Sequence, residues 1–171
     1  MIRSLLLGIV LAGCVVNISI GQTVDDTRKA SLSVNATATV TDNLQMLTIR
    51  NIDLIAPVVE ENSILVSPIS SPYAGMFKII GNPTARIRIT FLQRETLVES
   101  NDGFGEVKAE YSLSAAFEDL QIQSALLDRG EATISLSDKG ILFVWLGANL
   151  DLSSALPGVY QSEFTIELEY I

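Results

Sequence analysis

The sequence predicts an all-β protein folded as a two-sheet β-sandwich of eight or nine short antiparallel strands. Apolar and polar residues alternate over many short stretches, which is the pattern of a strand with one buried face. Clusters of Gly, Pro, Asn and Asp separate these stretches at regular intervals. No stretch predicts a helix convincingly, so the two observations together favour two packed sheets over any mixed fold.

The first 21 residues predict a signal peptide. Arg3 precedes an apolar run at residues 5–16, which is too short and too close to the N-terminus for a confident membrane span. Ser19 and Gly21 are small residues three and one positions before Gln22, where a signal peptidase would cut. We therefore expect export to the periplasm, the cell surface or the medium.

A second way of processing the leader remains open. Residues 11–14, Leu-Ala-Gly-Cys, look like a bacterial lipobox, in which the chain is cut before Cys14 and a lipid is attached to its thiol. The apolar stretch continues past Cys14, whereas a lipoprotein usually becomes polar there. In this alternative the protein is an outer-membrane lipoprotein, and the lipid on Cys14 is its only expected contact with a membrane.

Charge and residue content exclude several function classes. The formal net charge is -9, so the chain repels phosphate backbones and we expect no nucleic-acid partner. The sequence contains no histidine, and its single cysteine is Cys14 in the leader. Histidine-dependent catalysis and zinc sites of cysteine and histidine are thereby excluded. We expect neither cofactor nor metal.

Acidic residues alone could still support catalysis, since two carboxylates suffice for glycoside cleavage. The adjacent pairs Glu60-Glu61 and Glu118-Asp119 are the candidates. Adjacent residues in a strand point to opposite faces, and such pairs in loops are usually solvated. We therefore predict that the protein is not an enzyme and assign no catalytic residue.

The predicted domain covers residues 30–171, after a polar, flexible lead-in at residues 22–29. Its first predicted strand is residues 30–40, where small apolar side chains alternate with Ser, Asn and Thr. A strand with such small side chains could lie in a narrow groove or at a sheet edge, or could simply be the first strand of a sandwich. Its inward-facing residues are Leu32, Val34, Ala36, Ala38 and Val40.

The next strands are predicted at residues 44–52, 63–69, 75–80 and 85–92. Residues 81–84, Gly-Asn-Pro-Thr, read as a four-residue turn between the last two. In residues 85–92 the alternation places Ile87, Ile89 and Phe91 inward, with Arg86 and Arg88 on a solvated face.

Residues 99–103 predict a hairpin turn, because Asn, Asp and Gly accept positive φ. A strand follows at residues 106–115. Residues 117–127 fit either a strand or a short helix, and the surrounding β pattern favours strand or loop. Another strand is predicted at residues 131–137.

Residues 141–146 are apolar at every position, which is typical of a central strand covered on both faces. Trp145 is interpreted as a core anchor. Gly147 is predicted to form a β-bulge, after which Leu150 and Leu152 continue the strand.

The last stretch, residues 158–171, predicts a strand with one buried and one solvent-exposed face. It ends with the printed sequence and would present unpaired main-chain groups at a sheet edge, which favours assembly. Its predicted pairing residues are Gly158, Tyr160, Phe164, Ile166, Leu168 and Tyr170, and Ser162 is the one polar member of the inward set.

The order of these segments resembles the bacterial secreted family called domain of unknown function 4402. The resemblance covers most of the mature chain. It rests on the alternating start at residues 30–40, on Phe-Lys-Ile-Ile-Gly-Asn-Pro at 77–83, Gly-Glu-Ala-Thr-Ile at 130–134, Leu-Gly-Ala-Asn-Leu at 146–150, and Gly-Val-Tyr at 158–160 running into 166–170.

The C-terminus is also similar to that of chaperone-usher pilins, with a penultimate tyrosine, Tyr170, and a glycine, Gly158, fourteen positions from the end. This resemblance implies an immunoglobulin-like, pilin-like sandwich that lacks one strand. It casts residues 30–40 as the strand donated to a neighbouring subunit and residues 158–171 as one wall of the acceptor groove.

The expected function is that of an exported, non-enzymatic subunit of a fimbrium or surface fibre, which joins itself or other surface subunits by strand addition. The alternative is a self-sufficient adhesion or binding module, secreted or anchored through Cys14. Its ligand would meet the loops around Pro72, Asp102 and Asp151.

Overall fold

The computed structural model of the chain describes residues 43–99, 104–162 and 164–171. These residues form ten β-strands in two antiparallel sheets, with one short 3-10 turn at Gln121–Gln123 and no α-helix in the described ranges. The predicted all-β, two-sheet sandwich is confirmed. The predicted signal peptide, lead-in and first strand, residues 1–40, lie outside the described residues.

The strands follow one another along the chain at short intervals. They are β1 Gln45–Arg50, β2 Ser63–Val66, β3 Gly75–Ile80, β4 Arg86–Phe91, β5 Arg94–Val98, β6 Glu106–Ala116, β7 Ala125–Leu126, β8 Glu131–Ser135, β9 Ile141–Asp151 and β10 Ile166–Tyr170. The larger sheet has the order β1-β3-β9-β6-β5, with β2 added beside β9 and β7 beside β6. The smaller sheet has the order β10-β4-β8.

Strand β9 is the centre of the larger sheet. It pairs with β6 along Phe143 to Asp151 on one side and with β3 and then β2 on the other. Leu142, Leu146 and Leu150 are fully buried towards the smaller sheet. Trp145 points to the opposite face and is still only 1% exposed, so the predicted central strand, covered on both faces, is confirmed.

The outer face around Trp145 is covered by the chain between β2 and β3. Ser114, which stands opposite Trp145 on β6, donates to the Pro68 carbonyl at 3.0 Å. Gln121 donates to the same carbonyl at 3.1 Å and to that of Ser71 at 2.9 Å. These hydrogen bonds hold the loop against the sheet. Residues 117–127, whose secondary structure the sequence left ambiguous, supply Gln121 as one of the donors.

The predicted bulge at Gly147 is wrong. The register between β6 and β9 runs without a shift through Gly147, which stands opposite Ser112. Glycine is required there for another reason. A Cβ at Gly147 would meet the Val66 carbonyl oxygen and lie 2.5 Å from Pro68 Cδ, because the chain leaving β2 crosses β9 at this point.

Strand β5 was not among the predicted strands. Its inward positions are Glu95 and Leu97, so the apolar alternation is interrupted by a carboxylate. The predicted hairpin after it is confirmed by the pairing of Val98 with Glu106.

The last predicted strand is shorter than expected. Hydrogen-bonded pairing begins at Ile166, and the preceding segment touches the larger sheet through one isolated bridge between Tyr160 and Glu99. The segment crosses from one sheet to the other, so a single ladder cannot continue along it. The alternation nevertheless persists, with Tyr160, Ser162, Phe164, Ile166 and Leu168 all buried.

Candidate assembly site

Strand β10 is an edge strand of the smaller sheet within the described part of the chain. It pairs with β4 over five residues, from Ile166 opposite Phe91 to Tyr170 opposite Ile87. No other described strand pairs with it. Its second row of main-chain N–H and C=O groups is therefore the row that an added strand would use.

The inward side chains of β10 are already covered by the chain itself. Ile166 and Leu168 are each 1% exposed and belong to the common core. Glu167 and Glu169 point outward. What this edge offers to a partner is thus main-chain hydrogen bonding, with an acidic outer face, rather than an uncovered apolar groove.

Tyr170 attaches the end of β10 to the turn between β3 and β4. Its hydroxyl accepts a hydrogen bond from the Asn82 backbone N–H at 2.8 Å. Gly81 leaves room for the ring, since a Cβ there would lie 2.6 Å from the Tyr170 hydroxyl oxygen and 3.0 Å from Leu44 Cδ1. The penultimate tyrosine therefore has a structural role, and Leu44, which precedes β1, lies at the same end of the molecule.

Tyr160 closes the turn that leads to the last stretch. Its hydroxyl donates to the Leu156 carbonyl and accepts from the Leu156 N–H, both at 2.9 Å. This is the geometry of a tyrosine corner, in which a buried tyrosine hydroxyl binds backbone a few residues upstream. Gly105 is required beside it, because a Cβ there would meet the Tyr160 hydroxyl.

Gly158 accommodates a buried carboxylate. A Cβ at Gly158 would meet the side chain of Glu99, which is 9% exposed. The Val159 N–H donates to Glu99 Oε1 at 3.3 Å. Gly158, the first residue of the predicted last strand, thus lets the chain approach the end of β5.

A buried polar cluster ties the same segment to β5 and β6. The Ser162 hydroxyl donates to Glu95 Oε2, and the Tyr111 hydroxyl lies 3.4 Å from both the Glu95 and Ser162 oxygens. Burial raises the pKa of Tyr111 from 10.0 to about 12, so its hydroxyl stays protonated at pH values where an exposed tyrosine would ionise. The Tyr111 ring packs against Phe164 with ring centroids 4.6 Å apart.

This cluster explains Ser162, the polar residue among the predicted inward set. Its partner Glu95 was missed, because a single inward carboxylate looks like the end of a strand pattern. A polar residue on a buried face requires a hydrogen-bond partner. Ser162 therefore predicted a hydrogen-bond partner, but nothing in the sequence identified that partner as Glu95.

The predicted pairing residues are partly brought together. Tyr160, Phe164, Ile166, Leu168 and Tyr170 share the core-facing side of the last stretch, and Gly158 lies in the turn before them. Cys14 and the donor set Leu32, Val34, Ala36, Ala38 and Val40 lie outside the described residues.

The loops predicted for a ligand-binding module do not converge. Pro72 is exposed in the loop that crosses the middle of β9, whereas Asp151 is at the far end of β9. Hydrogen bonds from Ser153 lower the pKa of the Asp151 carboxyl, which accepts the Ser153 N–H at 2.9 Å. Asp102 lies outside the described ranges.

The candidate acid pairs are both at the surface. Glu60 and Glu61 begin a tight turn, and Glu118 and Asp119 are exposed before the 3-10 turn. Within residues 43–99, 104–162 and 164–171, no three metal-ligating side chains cluster.

The outer face of the smaller sheet is solvated as predicted. Arg88 on β4 pairs with Glu169 of β10 at 2.7 Å and with Glu131 of β8 at 3.5 Å. Such exposed cross-strand pairs contribute little individually, roughly 0.2–1 kcal/mol each. They mark this face as polar rather than as an anion site.

Comparison with known proteins adds no relative. Neither the models of known protein families nor the curated proteins gave a match to this chain. None of the helical segments in the described ranges is long and apolar enough to cross a bilayer.

Proposed function

We propose that this chain is an exported, non-enzymatic subunit of a surface fibre or fimbrium, joined to its neighbours by β-strand addition at β10. The observation that carries the proposal is the second edge of β10, which pairs with no described strand. A strand added there gains a row of main-chain hydrogen bonds, because the regular pairing of β10 with β4 already holds β10 extended.

The segment best suited to this edge is residues 30–40. Its small alternating side chains fit a narrow space beside an existing core. The described chain begins at the end of the molecule where β10 finishes, since Leu44 and Tyr170 both approach Gly81. From that end the segment can reach β10 of its own chain or extend to a neighbour.

Deletion of residues 30–40 tests the proposal. The wild-type exported chain should form multimers that survive detergent in gel electrophoresis until heated, because strand addition is slow to reverse. Deletion of 30–40 should abolish these multimers, while deletion of the lead-in, residues 22–29, should leave them. A wild-type chain that stays monomeric, or multimers that persist without residues 30–40, would reject the proposal.

A second candidate is a self-sufficient surface adhesion or binding module. One observation favours it: Ile166 and Leu168 are already buried, so the chain completes the core beside β10 without a partner. This candidate predicts a monomer that unfolds cooperatively and reversibly. Mass spectrometry of the mature N-terminus would then separate a released form beginning at Gln22 from a form lipidated on Cys14.

A further inference from the structure

The register of β10 against β4 shows which of its main-chain groups face the second edge. In an antiparallel pair, alternate residues bond to opposite sides of the strand. The Ile171 N–H donates to the Arg86 carbonyl at 3.1 Å, one step beyond the last paired residue, Tyr170. The odd-numbered residues of β10 therefore bond to β4. No described strand uses the second row, whose groups belong to Ile166, Leu168 and Tyr170.

The described chain begins beside one end of this row. Leu44 is 1% exposed, and its Cδ1 lies 3.0 Å from the position of a Cβ built on Gly81. The Tyr170 hydroxyl oxygen lies 2.6 Å from the same position. Only residues 41–43 separate Leu44 from the segment 30–40. A short tether therefore joins that segment to the Tyr170 end of β10.

The tether fixes the direction in which residues 30–40 can lie along β10 of their own chain. Asn43 has a φ of 69°, so the chain turns between this segment and β1. Going back along the sequence, the segment leaves the Tyr170 end of β10 and can only proceed towards the Ile166 end. Its direction from residue 30 to residue 40 is then the direction of β10 from Ile166 to Tyr170. A strand that the chain adds to its own β10 is therefore parallel to it.

Side-chain chemistry matches the segment 30–40 to this edge. The outer face of β10 carries the carboxylates of Glu167 and Glu169. Residues 30–40 contain no charged side chain, so their polar face, which is Ser, Asn and Thr, meets these carboxylates without like-charge repulsion. Their other face is small and apolar, which suits an edge where Ile166 and Leu168 are already buried.

We infer that residues 30–40 form a parallel strand on β10 of their own chain in the isolated subunit, with Val40 nearest Tyr170. A short tether gives this segment an effective concentration of about millimolar at its own edge, far above that of any neighbour in dilute solution. The net charge of -9 opposes the approach of a second copy and so favours the same choice.

This inference rests on the same edge of β10 as the proposed function, and it adds the direction of the added strand and the chain that supplies it. If that strand lies on its own chain first, assembly of a fibre requires it to leave β10 and be exchanged between copies. The intrachain pairing itself does not depend on the exchange.

Amide hydrogen exchange measured by NMR on the full exported chain tests the pairing. The Leu168 N–H should be protected as the Glu169 N–H is, although only the second bonds to β4. Deletion of residues 30–40 should speed exchange at Leu168 at least about tenfold and leave Glu169 protected, which also shows that the shortened chain is folded. Rapid exchange at Leu168 in the wild type would overturn the inference.

A disulfide identifies the chain and the direction. With Val40 nearest Tyr170, residue 39 stands beside Glu169, within the reach of a disulfide between neighbouring strands. Thr39→Cys with Glu169→Cys should cross-link within one chain under mild oxidation, giving a faster band on a non-reducing gel. Ser33→Cys with Glu169→Cys is the matched control, because residue 33 lies about 20 Å further along a parallel strand.

Peptide mapping confirms which thiols are joined, since the only native cysteine is Cys14 in the leader. A Thr39 pair that yields no intrachain cross-link, or a Ser33 pair that cross-links equally well, would overturn the inference.

The same disulfide separates this inference from the proposed function. Closing the Thr39→Cys and Glu169→Cys disulfide before assembly should prevent detergent-resistant multimers, and reduction should restore them. Multimers that form with the intrachain disulfide closed would reject exchange of residues 30–40 while the intrachain strand stands. Multimers in a chain that never forms the intrachain disulfide would reject the inference and leave strand addition between copies.

Discussion

Thr84 shows how a single side chain can act against its local backbone. Thr84 has a φ of 59° in the turn that begins at Asn82, where Ala85 N–H donates to the Asn82 carbonyl at 3.2 Å. Proline at the second position and positive φ at the third define a type II turn, which prefers glycine at the third. A β-branched residue there is strained.

We predict that Thr84→Gly stabilises the fold by about 1 kcal/mol. Relief of left-handed strain, about 1–2 kcal/mol, outweighs the roughly 0.5–1 kcal/mol that glycine costs through the unfolded chain. Thermal unfolding followed by circular dichroism should show a melting temperature raised by about 2–4 °C. Thr84→Val keeps the branch and should give no increase. A lower melting temperature for Thr84→Gly than for Thr84→Val would contradict the prediction.

Three of the chain's four tyrosines show how one residue type serves several local tasks. Tyr160 closes a backbone turn, Tyr170 binds the turn after β3, and Tyr111 completes a buried hydrogen-bond cluster. Each ring is apolar enough to join the core, while each hydroxyl finds a partner there. The aromatic alternation of the last stretch therefore fixes loops as well as covering the core.

At the scale of elements, β9 determines how the larger sheet is built. It is long enough to take β3 along one half and β2 along the other, and the change of partner occurs at Gly147. The loop that leaves β2 must pass over β9 at this residue. Glycine is the only residue that leaves room for Val66 and Pro68.

We predict that Gly147→Ala destabilises the protein by about 1–3 kcal/mol, because the added methyl group overpacks a closed contact. The midpoint of urea unfolding should fall accordingly. Ser112→Ala, opposite Gly147 on β6, is the control and should change the midpoint by less. An unchanged midpoint for Gly147→Ala would show that the loop moves aside at no cost.

The edge strands β1 and β10 differ in how regular their pairing is. Strand β1 is irregular, since its register with β3 shifts between Thr48 and Arg50. Strand β10 keeps a regular register over its whole length. Irregular edges discourage pairing with other chains, whereas a regular edge permits it. This contrast favours β10 over β1 as the place for strand addition.

For the whole molecule, the buried cluster around Tyr111 couples stability to alkaline pH. The pKa of the Tyr111 hydroxyl is raised from 10.0 to about 12, chiefly by burial. A tyrosine with a raised pKa is held neutral by the fold, so its contribution is complete below pH 10 and is lost as the pH rises towards 12.

We predict that stability falls by about 2–3 kcal/mol more in the wild type than in Tyr111→Phe between those pH values. Unfolding in urea at a series of pH values measures the difference. Parallel pH profiles for the two proteins would show that Tyr111 ionises freely in the native state.

For assembly of the whole molecule, the proposed surface is the second edge of β10 in the smaller sheet, which pairs with no other strand in the described part of the chain.

The fold class and the buried faces of most strands could be predicted from the order of residues alone. Residues 75–80 were predicted with both bounds correct, and Ile87, Ile89 and Phe91 point inward as their alternation required. This is possible because side chains alternate with a period of two along any single strand. A short stretch of sequence is therefore enough to show which face is buried.

Which strands are neighbours could be seen only in the folded molecule. The role of Gly147, the partner of Ser162 and the edge position of β10 all depend on residues far apart in the chain. Alternation shows that a face is buried but not what buries it, because pairing is set by the packing of the entire core. For that reason β5, with its inward Glu95, became recognisable as a strand only beside β6 and Ser162.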